Sequence, residues 1–217
     1  MEFIINGEAS DAVKFIMVLT LIKIAPFMLL MMTCFTRLII VFSFLRNALG
    51  MQQTPPNQVL IGLALFVTFF IMQPVLSEIN ETAFQPYNNG TMQTQEFLDT
   101  AQVPIKEFML KQTPKGEVEL FQSLSADETV RSAEGTNLPL HVVVPAFITG
   151  ELKRAFLIGF LLFIPFLIID LIVGSTLMSM GMIMLPPVMI SLPFKIMLFV
   201  VVDGWGLLIK TLIMTYN

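Results

Sequence analysis

Charged side chains, three of them besides Lys210, lie within a long apolar stretch of this sequence. Asp170, Lys195 and Asp203 all fall between residues 156 and 212, where nearly every other residue is apolar. A charge in membrane-grade sequence is costly unless it faces protein or water, so it marks a functional or an assembly position. Such groups could pair with one another, relay ions, or fix the geometry of a membrane assembly.

A cluster of methionines lies between the first two of these charges and is closed by Pro186-Pro187. Its members are Met178, Met180, Met182 and Met184. On a continuous helix they would form two roughly opposite stripes, so a single packed face would not need them all. Two interpretations stay open. The methionines fill gaps in a core, or they form a soft collar that closes on itself and repacks around varied chains.

The residue types in this sequence do not support an enzymatic function. His141 is the only histidine and Cys34 the only cysteine, so neither a Ser-His-Asp or Cys-His set nor a cysteine metal site can be assembled. No glycine-rich phosphate loop occurs, and a net charge of −4 without a basic run argues against nucleic acid. We therefore predict that the protein is not an enzyme and has no catalytic residue, cofactor or metal ion.

The composition indicates a membrane protein. Hydrophobic residues make up 55% of the 217 residues and charged residues only 13%, whereas soluble domains average about 25% charged. Residues 1–11 carry acidic side chains and no base, so no cleavable signal peptide is predicted. Membrane insertion is therefore expected to use the internal apolar segments.

Four apolar segments reach the length of about 20 residues that a helix needs to cross a bilayer. They run from about residues 12–45, 58–76, 156–185 and 188–213. The first contains Lys14, Lys23, Pro26 and Arg37, which predicts a kinked helix or two helices. The breaks at residues 46–56 and at the double proline predict an all-α integral membrane-type protein built from two helical hairpins that flank one polar insert.

The polar residues divide the chain into three parts. We predict a first apolar hairpin in residues 1–76, a polar insert in residues 77–154, and a second apolar hairpin in residues 155–217. Short helical patterns in the insert indicate a small helical subdomain. Because the first turn carries Arg46 and the insert is acidic, the positive-inside rule places the turns in the cytoplasm and the insert outside.

Counting residues from the double proline places Asp170 and Asp203 at similar height, about 25 Å from the turn at 1.5 Å per residue. Two nearby buried carboxylates cannot both stay ionised without a cation. Arg37 is the favoured partner because its planar guanidinium can donate hydrogen bonds to two carboxylates. Lys210 is the alternative partner. We therefore predict a buried charge layer that fixes assembly geometry rather than moving protons. Its members are Arg37, Asp170, Asp203, Lys195 and Lys210.

Another acidic residue, Glu151, stands beside Lys153 and Arg154 at the start of the third apolar segment. Two interpretations stay open for this cluster. It is a solvated group of charges, or Glu151 pairs with a base of a neighbouring copy and helps to close a ring head to tail. On the second interpretation Glu151 is a subunit-interface residue.

Several ordered motifs resemble the FliP/SctR family of type III secretion export-gate proteins, and its flagellar branch most closely. They are MTCFTRLIIV (32–41), LRNALG (45–50), PPNQVLIGLALF (55–66), FIPFLIID (163–170), GMIMLPP (181–187), LPFK (192–195) and VDGW (202–205). The resemblance covers nearly the whole chain and is weakest in residues 80–137.

The resemblance implies a pore-forming core subunit of the flagellar protein export gate, which moves unfolded flagellar subunits across the bacterial cell membrane at the flagellar basal body. It implies a homo-oligomer of five copies that assembles into a helical ring, together with FliQ, FliR and other export proteins. It also implies a gasket of methionines around the closed pore. That role falls on Met182 and Met184, with Met178 and Met180 as further candidates because Ile183 replaces the middle methionine of the family.

Two other functions remain open on the residues alone. The chain could be a subunit of a small-ion or solute channel or transporter that uses its buried charges as a relay. It could also be a purely structural membrane scaffold. A transporter should show paired inverted repeats, whereas the two predicted hairpins differ in the placement of their charges.

Overall fold

The computed structural model of the chain describes residues 26–182 and 185–216, together with Ile16, Leu19, Thr20 and Lys23. These residues are helical with short connections and contain no strand, which confirms the predicted all-α class. The helices are α1 (Pro26–Met32), α2 (Phe35–Ala48), α3 (Asn57–Ile79), α4 (Gln85–Asn88), α5 (Thr94–Gln112), α6 (Lys115–Ser123), α7 (Glu128–Arg131), α8 (Leu140–Ser179), α9 (Pro187–Val201) and α10 (Gly204–Met214).

The first apolar segment is broken, as predicted. Within the described residues α1 and α2 meet at an angle of 78°. This break lies after Met32, and the hydroxyl of Thr33 stabilises it by accepting the Phe35 N–H at 3.3 Å while donating to the Leu29 carbonyl. A threonine that bonds to nearby backbone offers the chain an alternative to helical hydrogen bonds.

The second and third apolar segments are longer than predicted. A π-helical segment, Asn80–Phe84, joins α3 to α4, so helical structure continues over the 32 residues Asn57–Asn88. The 40-residue α8 begins at Leu140 and passes without a break through the predicted boundary at residue 154. The N-terminal part of α8 buries Val143, Phe147 and Glu151, which recur every four residues along one face.

The end of α8 falls within the methionine cluster. Gly181 adopts φ 76°, and the N–H groups of Gly181 and Met182 donate to the carbonyls of Met178 and Leu177, both at 3.0 Å. This is the Schellman arrangement, in which a glycine takes the left-handed conformation just beyond the helix. The helix therefore ends before the double proline, and Pro187 occupies the first turn of α9.

The fourth apolar segment is not one helix, which corrects the prediction. The axes of α9 and α10 differ by 62°. Asp203 lies at the break with φ 50°, a left-handed conformation that ends one helix and begins the next. Residues on the two sides of this break therefore cannot be aligned by counting along a straight helix.

In the part of the chain that the structure describes, two helical stretches are long and apolar enough to cross a membrane by length and composition. They are Asn57–Asn88 and Leu140–Ser179, and the number rises to four if each bent pair, α1 with α2 and α9 with α10, forms one span. All of these lie within the predicted apolar segments or extend them.

The long helix α8 is the centre of the packing. Helix α8 contacts α2 more extensively than it contacts any other helix, and it also contacts α5, α6 and α9. The helices α2 and α8 approach closely at Gly159, where an added Cβ would lie 2.5 Å from Cγ of Phe44. A side chain at this position would keep the helices apart, so the glycine permits the contact.

Candidate functional site

The most deeply buried charges of the described chain form a two-point ion pair between α2 and α8. Nε of Arg37 donates to Oε2 of Glu151 at 2.9 Å, and Nη2 of Arg37 donates to Oε1. Arg37 is 0% and Glu151 1% exposed. Removing two charges from water is costly, and a planar guanidinium that meets both carboxylate oxygens offsets that cost best.

Residues beyond the end of α10 complete this pair. The Tyr216 hydroxyl donates to Oε2 of Glu151, and Nη1 of Arg37 donates to the Thr215 hydroxyl at 2.9 Å. The Arg37 guanidinium also lies 3.9 Å from the centre of the Tyr216 ring, a cation–π contact. Burial raises the pKa of the Tyr216 hydroxyl well above its usual range, and the nearby Glu151 charge adds to this shift.

A second ion pair joins α8 to α9. Nζ of Lys195 lies 2.7 Å from Oδ2 of Asp170 and donates to the Ala48 carbonyl at 3.0 Å. The Ser191 hydroxyl, one turn before Lys195 on α9, donates to Oδ1 of Asp170. Ala48 is the last residue of α2, where carbonyls lack a partner within the helix and a cation is favoured.

Together the two pairs fasten α2 to α8 near both ends of α2. Arg37 is the third residue of α2, and the Ala48 carbonyl is at its C-terminal end. Both acidic partners, Glu151 and Asp170, belong to α8. Helix α8 therefore supplies both carboxylates. Helices α2 and α9 supply the two cations, and α9 and the residues after α10 supply the hydroxyl groups.

The predicted buried charge layer is therefore wrong in its pairing within the chain. Arg37 bonds to Glu151 rather than to Asp170 or Asp203, and Asp170 bonds to Lys195. Asp203 and Lys210 are exposed, and neither forms an ion pair with another described residue. The alignment by counting failed because α9 and α10 are bent apart at Asp203 itself.

Both interpretations of the Glu151 cluster are also corrected for this residue. Glu151 is neither solvated nor free for a neighbouring copy, since its two oxygens are taken by Arg37 and Tyr216. Only the rest of the cluster faces outwards, and Lys153 pairs with Glu117 of α6 at 3.2 Å. Glu151 differs because it lies on the buried face of α8.

The methionines lie at the C-terminal tip of α8. Met178, Met180 and Met182 are 69%, 72% and 40% exposed, so they do not fill a core within the chain. Met184 lies outside the described residues. The two opposite stripes predicted for a continuous helix do not form, because α8 ends at Ser179. A role of these residues in a gasket stays a prediction.

The sequence offered only a faint indication of Tyr216, Thr215 and Ser191, which complete the two pairs. Tyr216 is one of only two tyrosines in the chain, and its phenol is the kind of group that needs a partner when buried. Among the described residues, no group of three or more metal-ligating side chains comes together.

Comparison with known proteins assigns the family. Residues 18–212 match the FliP family. The chain is 54% identical to the flagellar biosynthetic protein FliP of Bacillus subtilis over 96% of this chain and 94% of that protein. It is 49% identical to the FliP of Aquifex aeolicus over 98% of this chain and 89% of that protein. Identity is also 49% to the FliP of Pectobacterium carotovorum, over 94% of this chain and 79% of that protein. The chain belongs to the FliP family.

Proposed function

We propose that this protein is a pore-forming core subunit of the flagellar protein export gate, through which unfolded flagellar subunits cross the cytoplasmic membrane. Its relatives are named flagellar biosynthetic proteins, which supports a place in flagellar assembly. The long apolar helices α3 and α8 support a place in a membrane assembly. Export of a flagellar subunit requires an opening that accepts many different side chains.

The observation that carries the proposal is the exposed methionine tip of α8. Met178, Met180 and Met182 project from the chain instead of packing into it. Methionine is flexible and polarisable, so a ring of such tips can close on itself and repack around varied polypeptides. The left-handed Gly181 ends α8 there and lets the chain turn towards α9.

The proposed homo-oligomer, five copies with FliQ and FliR as partners, accounts for the exposed surface of the C-terminal helices. Phe156, Phe160 and Leu171 of α8 and Val201 of α9 are each more than half exposed. Contiguous apolar surface of this extent needs another copy, a partner or lipid to cover it. A subunit held rigid by its buried ion pairs can offer the same surface in every copy of a ring.

The state of the charges argues against the alternative of a small-ion channel or transporter. A relay needs ionisable groups that exchange protons or ions with water. Arg37 and Glu151 are buried and fully paired, and Lys195 is 2% exposed and bonded to Asp170 and Ala48. These groups are better suited to fixing helices than to carrying charge.

A strain that lacks this protein tests the proposal by complementation. Wild-type protein should restore secretion of flagellar subunits into the medium. Met182→Ala combined with Met184→Ala should leave the complex intact but raise the leak of ions across the membrane. Met214→Ala, at an exposed methionine at the end of α10, is the matched control and should not leak.

Two results would contradict the proposal. One is subunit secretion that does not depend on this protein. The other is unchanged membrane conductance in the double methionine variant when the complex is intact.

A further inference from the structure

A groove between α8 and α10 remains open in the packed chain. Its volume is about 550 Å³, within the range of sites for small ligands. The α8 wall is a stripe of one helix face, formed by Ile158, Leu161 and Phe166 among others. The α10 wall is the corresponding stripe that includes Leu207 and Leu208. The walls are almost wholly apolar.

A second cavity of about 410 Å³ adjoins the groove, because Ile158 and Thr215 line both. Its character is basic, with Arg37, Lys111 and Arg154 in its wall and no carboxylate side chain among the lining residues. The cavity therefore forms a cationic mouth at one end of the apolar groove.

Two of the three bases of this mouth keep their charge available. Arg37 is committed to Glu151, whereas neither Lys111 nor Arg154 forms an ion pair with a described residue. Arg154 only donates to the Gln112 side chain at 3.4 Å. A third cavity shares Lys111 and Gln112 with the mouth and is also lined by Glu78 and Glu107. An anion in the mouth would therefore meet two cations, while these two carboxylates line only the third cavity.

The mouth lies where a polar helix meets an exposed apolar helix face. Arg154 directly precedes the exposed apolar part of α8, and Lys111 lies near the C-terminal end of the polar helix α5. From Arg154 in the mouth to Phe166 in the groove wall the distance along α8 is about 18 Å at 1.5 Å per residue. Basic side chains next to an apolar surface recognise anionic lipid headgroups.

We propose that the two cavities together bind one anionic phospholipid of the surrounding membrane. The headgroup phosphate contacts Lys111 and Arg154, and an acyl chain lies in the groove between α8 and α10. The complementarity has two parts, because the charge of the mouth fits the phosphate and the apolar walls fit the chain. The lipid thereby covers a surface that the packing of a single chain leaves open.

Native mass spectrometry of the full chain in detergent tests the proposal. The protein is mixed with equal amounts of dioleoylphosphatidylglycerol, which is anionic, and dioleoylphosphatidylcholine, which is zwitterionic. We expect preferential retention of one phosphatidylglycerol. Lys111→Gln combined with Arg154→Gln should lower that preference about thirtyfold, the effect expected when two cations near a headgroup are lost at about 1 kcal/mol each. Lys115→Gln with Arg131→Gln removes the same charges away from the mouth and should change nothing.

A second pair of variants tests the groove itself. Leu161→Trp fills the groove from an exposed wall position and should reduce retention of both lipids, whereas Leu171→Trp, exposed on α8 outside the groove, should not. Size exclusion and thermal unfolding in phosphatidylcholine micelles verify that each variant is folded.

Three results would overturn the proposal. They are equal retention of the two lipids by the wild type, an unchanged preference in the Lys111/Arg154 variant, and a dimer that Leu161→Trp abolishes without any effect on lipid. The last result would assign the groove to a helix of a second copy.

Discussion

The carboxylate of Glu151 receives hydrogen bonds from Arg37 and from Tyr216, which are 179 positions apart in the sequence and come from opposite ends of the described chain. Three regions, α2, α8 and the residues after α10, therefore meet at one acidic group. Because a buried ion pair rarely adds net stability but is costly to break, its main effect is to fix how these helices pack. An ordered ring of identical subunits needs such fixed geometry.

Breaking the first ion pair should be strongly destabilising. Arg37→Met leaves Glu151 buried with only Tyr216 as a partner, and we expect a loss of about 3–5 kcal/mol in the free energy of unfolding. Denaturation in detergent, followed by circular dichroism, measures the change. The double variant Arg37→Met/Glu151→Met removes both charges and should recover most of the loss. A double variant less stable than Arg37→Met would contradict this account.

The second ion pair should matter less, because the side chain of Asp170 is 23% exposed. Lys195→Met leaves Ser191 as the hydrogen-bond partner of Asp170 and removes the cation from the Ala48 carbonyl. We therefore expect a loss of about 1–3 kcal/mol in the free energy of unfolding. Lys210→Met is the matched control at an exposed lysine, where changes usually stay within about 0.5 kcal/mol. Equal losses for the two lysines would show that the bonds of Lys195 contribute nothing.

The close approach of α2 and α8 should not tolerate a methyl group. In Gly159→Ala the new Cβ would lie 2.5 Å from Cγ and 3.0 Å from Cβ of Phe44, so the helices must separate or Phe44 must turn. Overpacking of this kind typically costs about 1–3 kcal/mol. Gly62→Ala is the control, since its added Cβ meets nothing within 4 Å. Melting temperatures that are equal for the two variants would be incompatible with the packing described.

The raised pKa of Tyr216 predicts a dependence of stability on alkaline pH. An unfolded tyrosine loses its proton near pH 10, whereas buried Tyr216 keeps it to a higher pH. The contribution is therefore complete below about pH 10 and is lost as the pH rises towards the folded-state pKa. Tyr216→Phe should remove this dependence.

Absorbance at 295 nm tests the titration directly. Tyr87 and Tyr216 are the two tyrosines, so Tyr87→Phe leaves Tyr216 as the only phenol that absorbs. Ionisation of that folded variant near pH 10 would show that Tyr216 is not buried against Glu151.

The sequence identified three of the charges that pair inside the chain, but the prediction also included Asp203 and Lys210, which are exposed, and it named the wrong partners. Membrane-grade surroundings identified Arg37, Asp170 and Lys195, because the cost of a charge there depends on composition alone. Pairing depends on where helices begin and bend. The left-handed conformation of Asp203 and the early start of α8 at Leu140 have only weak local signals, an aspartate that tolerates positive φ and the preceding Pro139.

The methionine cluster illustrates the same limit. The composition identified the residues, but the helical period misplaced them, because Gly181 ends α8 inside the cluster. A glycine in apolar sequence can either pack a helix closely or end it, and the sequence pattern does not decide between the two. The turn at the double proline was predictable, since a proline disfavours helical conformation in the residue before it.

Photo-crosslinking to a flagellar subunit stalled during export tests the central claim most directly. A photoreactive amino acid replaces Met182 at the tip of α8, and in a parallel strain it replaces Phe70, which is 67% exposed on α3. The account predicts a crosslink from position 182 to the stalled subunit, dependent on active export, and none from position 70. Crosslinks of equal yield from both positions, or none from position 182 in an assembled complex, would contradict it.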